Sequence, residues 1–203
     1  MQSDNAMLGA IRESLRATAD VYAAMADQLP EPVAGAARVL IAALRGGHTI
    51  YVCGNGGSAS QAQHIAGELV GRFRQDRAAL ACVALSADTS VLTAVANDYE
   101  FDAVFERQID ALVHEGDVLW ALTTSGSSPN VVKAAALARR RGAKVVGMTG
   151  RGGGRLRELC DVLLAVPADL SPEIQEGHLA LLHILCGLVE QAMFPTAARE
   201  RKE

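Results

Sequence analysis

Apolar positions at the start of the chain recur at three- and four-residue spacing: Leu8, Ile11, Leu15, Ala19, Tyr22, Met25 and Leu29. That spacing places them on one face and predicts a long amphipathic helix. Pro30 and Pro32 end it, a second helix runs through Val39, Leu40 and Leu44, and Gly46-Gly47 stops that one. The expected result is an N-terminal helical hairpin over about residues 4–45. So long a stripe needs cover, either from the chain's own sheet or from a partner subunit.

Past the hairpin the pattern changes. Short β-branched runs at 49–53, 80–85, 118–123, 144–148 and 162–166 alternate with helical stretches. This alternation predicts α/β architecture: a three-layer, doubly wound, parallel five-stranded sheet spanning about 48–167. An apolar helix over about 172–194 closes the fold, and the tail PTAARERKE is expected to fray. With no repeat of solenoid length and no low-complexity linker, residues 1–203 read as a single domain.

Composition narrows the partners. The 203 residues are 50% hydrophobic and 21% charged, which suits a globular core and not disorder. Nineteen Lys and Arg against 23 Asp and Glu leave a net charge of −4, without the basic excess that nucleic acid requires. The longest apolar stretch, 179–189, is interrupted by His183 and is too short for a bilayer. Cys53, Cys82, Cys160 and Cys186 lie far apart with no CxxC spacing, and the N-terminus lacks a signal-peptide pattern. Buried thiols and a cytoplasmic location follow as expectations.

In such sheets ligands collect beyond the carboxyl ends of the strands. The loop Cys53-Gly54-Asn55-Gly56-Gly57-Ser58-Ala59-Ser60 leaves a strand and enters a helix. Its glycines admit close backbone approach, its serines can cap the helix, and free helix N–H groups suit an anion. A dinucleotide fingerprint is loosely met by Gly54, Gly56 and Ala59. It would also need an acid about 20 positions on, and there the strand ends at Leu85-Ser86 with Asp88 arriving late. Nicotinamide is therefore disfavoured. The bland alternative is a tight turn, which has no use for Asn55 and Ser58.

A second loop, Thr123-Thr124-Ser125-Gly126-Ser127-Ser128-Pro129-Asn130, carries five hydroxyls and leads into a helix with Ser128 as cap and Pro129 at its first position. Hydroxyls at a positive helix end make a phosphate cradle, whereas mere capping needs one of them. Without GxxxxGK[ST], a monophosphate ester fits better than a nucleoside triphosphate.

On the first of these helices His64, Glu68 and Arg72 fall four apart and read as one polar stripe, either ordinary solvated surface or a metal or base site. In the last helix His183 sits among Leu181, Leu182, Ile184 and Leu185; by itself that context favours a core histidine over an acid/base group in a dry cleft. Asn97-Asp98 can be a turn or a ligand for sugar hydroxyls.

Taken together, CGNGGSAS, QHIAGELVGRF, ANDY, TTSGSSPNV and the IQEGH and HILCGLVE segments of the last helix resemble the phosphoheptose isomerases of the sugar isomerase (SIS) superfamily, from about residue 8 to 194. The resemblance implies the SIS, flavodoxin-like fold. It also implies conversion of D-sedoheptulose 7-phosphate to D-glycero-D-manno-heptose 7-phosphate, the first step toward nucleotide-activated heptose, in a homotetramer with active sites at subunit interfaces. Glu68 would be the base and His183 the complementary acid. Substrate contacts would come from Asn55, Gly56, Gly57, Asn97, Asp98, Thr123, Thr124, Ser125, Ser128 and Gln175, and Ser58, Glu68 and Arg72 join them as candidates.

The resemblance also implies one zinc per subunit, on His64, Glu68, Gln175 and His183. Gln175 and His183 are eight apart, about 12 Å along an ideal helix, so both reach one ion only with extended side chains, a late helix start or help from another subunit. Thr123 stands where the family often has Ser, and Pro172, beside Glu173, where it often has an acid. The rival readings are a non-catalytic SIS protein that binds a replication initiator, whose members lack the acid at the position of Glu68, and an SIS isomerase or sensor for another sugar phosphate.

Overall fold

Five aliphatic runs pair side by side, all parallel, in the order β2-β1-β3-β4-β5. They are β1 (Ile50–Cys53), β2 (Cys82–Ala84), β3 (Val118–Leu122), β4 (Lys144–Gly150) and β5 (Val162–Val166). The computed structural model describes residues 2–195, with side chains from Asp4 onward. Seven helices are described: α1 (Gln2–Gln28), α2 (Pro30–Arg45), α3 (Gly57–Val70), α4 (Thr89–Asp98), α5 (Glu106–Leu112), α6 (Pro129–Arg140) and α7 (Ser171–Met193). Short 3-10 turns cover Phe101–Ala103 and Gly154–Leu159. The expected fraying of the tail falls on residues 196–203, outside the described residues.

The central strands β1, β3 and β4 are buried on both faces apart from Lys144, as a parallel sheet sandwiched by helices requires, whereas the edge strands β2 and β5 are only partly covered, with Val83 exposed. Alternate residues serve alternate layers. Ile50, Val52, Val118, Trp120 and Leu122 pack with Leu40 of α2, Ile65 of α3 and Leu182 of α7. Tyr51, Cys53, Leu119 and Ala121 pack with Ile109 of α5 and Val131 and Ala135 of α6. Strand order reverses between β1 and β3, so the loops beyond these two neighbours flank the crevice where such folds bind ligands.

The stripe on α1 is not covered by the chain's own sheet. Met25 and Leu29 join the core, but Met7, Leu8, Ile11 and Leu15 are exposed, as are Leu179, Ile184 and Leu188 on α7. α1 meets α7 near its middle, where Thr18 Oγ1 donates to Glu176 Oε2 at 2.7 Å. All four cysteines are free, three of them buried; burial pushes the Cys53 and Cys186 thiols up to about 12. Among the described residues no helix is long and apolar enough to cross a membrane. Asp88, the late acid in the dinucleotide test, caps α4 by accepting from the Val91 amide.

The core histidine is His178, and not His183. It is fully buried, and its Nε2–H donates to the Thr149 carbonyl at 3.2 Å. Burial pushes its pKa down to about 4, against a smaller opposing effect of that hydrogen bond. Between the ordinary value of 6.5 and about 4 the unfolded chain binds a proton that the folded chain refuses, so stability falls as pH falls through this window. We expect His178 to account for a loss of about 3 kcal/mol between pH 7 and 4. Urea unfolding of wild type and His178→Gln at several pH values checks this; equal pH slopes would overturn it.

Candidate active site

Two loops meet at the crevice. After β1 the chain turns through Gly54, Asn55 and Gly56, whose φ of +54° suits glycine. A Cβ on Gly54 would stand 2.8 Å from that of Ser58, and one on Gly57 would meet the Gln175 side-chain amide at 2.5 Å. The first turn of α3 is thus packed between its own loop and α7. The serines do not cap it: Gly56 occupies the cap position with no side-chain bond, and Ser58 is buried inside the first turn. Asn55 pairs reciprocally with Asn130 at the start of α6, each amide donating to the other's oxygen at 2.9 Å. This double bond of amides locks the two loops together.

The loop after β3 gathers its hydroxyls on Thr123. The Thr123 hydroxyl lies 2.9 Å from that of Ser128 and 3.3 Å from that of Ser125. Ser128 holds the cap position of α6, with Pro129 following, but its hydroxyl turns to Thr123 instead of to the helix amides. Of the first backbone amides of α6, Pro129 offers none, that of Val131 donates to Asn130 Oδ1 at 2.9 Å and that of Val132 to the Ser128 carbonyl at 3.0 Å. The Asn130 backbone amide remains at the positive end of the helix, beside three converging hydroxyls, a setting that suits an anion. The Thr124 hydroxyl accepts from Ser171 at 3.3 Å. Gly126, at φ +67°, lies so close to the Gly153 carbonyl that a Cβ there would come within 2.2 Å.

A second cluster forms where α3 crosses α7. His64 Nε2 lies 3.1 Å from Glu68 Oε1 and 3.2 Å from His183 Nε2, and one ligand atom from each of the three residues falls within 4.8 Å of the others. A single Nε2–H cannot serve both neighbours, whereas a cation between them would use all three lone pairs. Tetrahedral bonds of about 2.0–2.2 Å set donors roughly 3.3 Å apart, close to both spacings. The donor set of two imidazoles and one carboxylate therefore fits a divalent metal. Glu68 Oε2 has no hydrogen-bond partner among the described residues, and Phe73 stacks on the His183 ring with centroids 5.8 Å apart.

The two clusters are separate within one chain. Gly57 and Glu68 stand eleven residues apart on α3, about 16 Å of helix rise, and Ser171 and His183 twelve apart on α7, about 18 Å. Gln175 belongs with the crevice, its amide against Gly57, and the His64, Glu68 and His183 donors close without it. Arg72 leaves the stripe, because α3 ends at Val70 with Gly71 as cap. Asn97 and Asp98 end α4, exposed, with the Asn97 amide donating to Asp98 Oδ1 at 2.9 Å.

The SIS domain family matches residues 15–150. The phosphoheptose isomerase of Geobacter metallireducens is 51% identical over 184 residues, covering 91% of this chain and 97% of that one. That of Pelobacter propionicus is 49% identical over 188 residues, covering 93% and 100%. The chain belongs to the phosphoheptose isomerase family of SIS-domain proteins. The solved phosphoheptose isomerase of Neisseria gonorrhoeae shares the fold with a TM-score of 0.87 at 39% identity, over 91% of this chain and 99% of that one.

Several residues of this phosphoheptose isomerase homologue escape a reading of loops and stripes. Asn130 locks the two loops, Gly153 buttresses the hydroxyl loop, and Phe73 covers His183. Asn130 and Phe73 lie inside TTSGSSPNV and QHIAGELVGRF without a role of their own there, and the glycine run at 152–154 marks a turn without naming its partner. Gly126→Ala forces both a left-handed backbone and a collision with Gly153. We expect at least a tenfold loss of affinity for a sugar phosphate with α3 and α7 intact, measured by calorimetry alongside circular dichroism; unchanged affinity would refute the buttress.

Proposed function

We propose that the protein is a single SIS unit that interconverts D-sedoheptulose 7-phosphate and D-glycero-D-manno-heptose 7-phosphate through an enediol. The observation that carries this reading is the meeting of the Glu68 carboxylate and the His183 imidazole around His64. Aldose–ketose exchange needs a base for a carbon-bound proton and a second group for the hydroxyl proton. Glu68 Oε2, unengaged, takes the proton from C1 as His183 protonates O2, giving the enediol. His183 then accepts the O1 proton while Glu68 returns its proton to C2, forming the aldose. Thr123, Ser125, Ser128 and the Asn130 backbone amide at the start of α6 hold the phosphate, with Asn55, Gly56, Gly57, Ser58, Thr124 and Gln175 around the sugar.

The reach of the substrate supports shared sites. From C2 to phosphorus an extended ketose 7-phosphate spans roughly 9 Å, a zigzag of seven bonds of about 1.5 Å, short of the helix rise of about 16–18 Å that separates the first turns of α3 and α7 from Glu68 and His183. A homotetramer in which the phosphate loop of one subunit faces the Glu68 and His183 of another closes that gap. The uncovered apolar stripes of α1 and α7 support such association. In this arrangement Asn97, Asp98 and Arg72, exposed in one chain, are available to a neighbour's substrate. The free thiols support a reducing, cytoplasmic setting.

Glu68→Gln is expected to lower turnover by about 10²–10⁴-fold while leaving the fold intact. A Ser125→Ala/Ser128→Ala variant should instead raise KM. If sites are shared, co-refolding the two variants regenerates intact sites in roughly a quarter of random pairings. Aldose formation from sedoheptulose 7-phosphate, assayed on each variant and on the mixture, checks all three. Wild-type turnover in Glu68→Gln would refute the assignment, and a mixture no more active than its components would refute sharing.

For the metal, the donor chemistry of His64, Glu68 and His183 supports zinc; a fourth ligand from Gln175 would have to come across from the crevice cluster. When bound, zinc supplies positive charge for the enediolate oxygen. A cation on His183 Nε2 leaves only Nδ1 of that ring for proton transfer, so its two roles compete. We expect a chelator to abolish turnover and Zn(II) to restore it, with one equivalent bound per chain by elemental analysis; full activity in metal-free protein would remove zinc from the proposal.

A further inference from the structure

One buried ion pair lies outside the chemistry yet touches both helices that carry it. Arg77 and Glu190 meet at 3.1 Å, each side chain only 2% exposed. Removing two charges from water is unfavourable, and a hydrophobic pair often serves stability as well or better. The bonds around this pair are specific. Glu190 Oε1 accepts from the amides of Arg74 at 2.9 Å and Gln75 at 3.1 Å, and Oε2 from the Phe73 amide and Arg77 Nε, both at 3.1 Å. Arg77 donates in turn to the carbonyls of Glu68 and Leu69, each at 2.7 Å, which are among the last in α3.

Each of these bonds bears on the triad. The terminal carbonyls of a helix lack intrahelical partners, and a guanidinium there satisfies them and matches the negative helix end. One such carbonyl belongs to Glu68 itself. On α7, Glu190 follows His183 by seven residues, two turns along nearly the same face. Between them Gly187 leaves room for Phe73, whose ring edge lies 3.4 Å from where a Gly187 Cβ would stand. The amide of that same Phe73 is held by Glu190, and its ring stacks on His183. Burial alone pushes the Glu190 carboxyl up, but the Arg74 and Phe73 amides and the Arg77 guanidinium outweigh it and hold it below its ordinary value.

We propose that Arg77 and Glu190 are positioning residues that fix the backbone of Glu68 against α7 and seat Phe73 on His183, so that carboxylate and imidazole are held in reacting register. The proposal rests on the isomerase reading for its kinetic test but not for its metal test. Misplacement by about 1 Å can cost around 10²-fold in rate. Lysine cannot serve Glu190 and two diverging carbonyls together, and glutamine cannot accept from three amides and the guanidinium as a carboxylate does.

Arg77→Lys, Glu190→Gln and Gly187→Leu, the last displacing Phe73 while leaving the ion pair in place, would be compared with wild type under conditions where circular dichroism shows them folded. We expect kcat on sedoheptulose 7-phosphate to fall at least tenfold with KM within threefold, and Zn(II) affinity, measured by competition with a chromophoric chelator, to fall at least tenfold in the first two. Folded Arg77→Lys and Glu190→Gln with kcat and Zn(II) affinity within threefold of wild type would overturn the proposal. Should either fail to fold, Gly187→Leu decides by the same kcat criterion. If wild type does not turn over this ketose, the functional reading fails, and Zn(II) affinity alone decides the role of the clamp.

Discussion

The chemistry proposed for this protein depends on a contact between two helices distant in sequence: the ring nitrogens of His64 on α3 and His183 on α7 stand 3.2 Å apart. Both helices lie on one face of the sheet, packed through Ile65, Leu69, Leu182 and Leu185 into a shared core. Side chains in a close-packed interior do not drift freely, so this packing sets the spacing of the polar atoms at its rim. Glu68 enters because it lies one turn from His64 on the same face.

The helices that create this contact also carry it away from the crevice. α3 and α7 both begin at the loops beyond the strands, where Gly57 meets Gln175 and Thr124 meets Ser171, and both deliver their histidines several turns further on. In the proposed reading one chain thus presents an anion-binding corner, at the loop between β3 and α6 beside the starts of α3 and α7, and a proton-transferring corner further along those two helices. The proposed assembly joins unlike corners of different subunits, a reason for α1 to keep an apolar stripe that its own sheet does not use.

Stability and function divide the buried polar groups between them. His178, sealed on the inner face of α7, ties that helix to β4 through the Thr149 carbonyl. Arg77 and Glu190 are as deeply buried, but their bonds run to the backbone of Glu68 and of Phe73. A charged pair satisfied on every side specifies one arrangement more sharply than an apolar contact, which tolerates sliding.

Local pattern determined the order of elements, the parallel sheet and the two ligand-type loops, because strand and helix periodicities and the punctuation of Gly and Pro are properties of neighbouring residues. The resemblance carried in those loops and helices added Glu68 and His183 as partners. Tertiary structure alone decided that α3 stops before Arg72, that Ser128 bonds to Thr123 instead of capping, that His178 and not His183 is the core histidine, and that Gln175 sits with Gly57. It also decided that Arg77 meets Glu190 across 113 residues of sequence. Several of these outcomes set one possible partner against another, and only the packed chain sets which partner lies within reach.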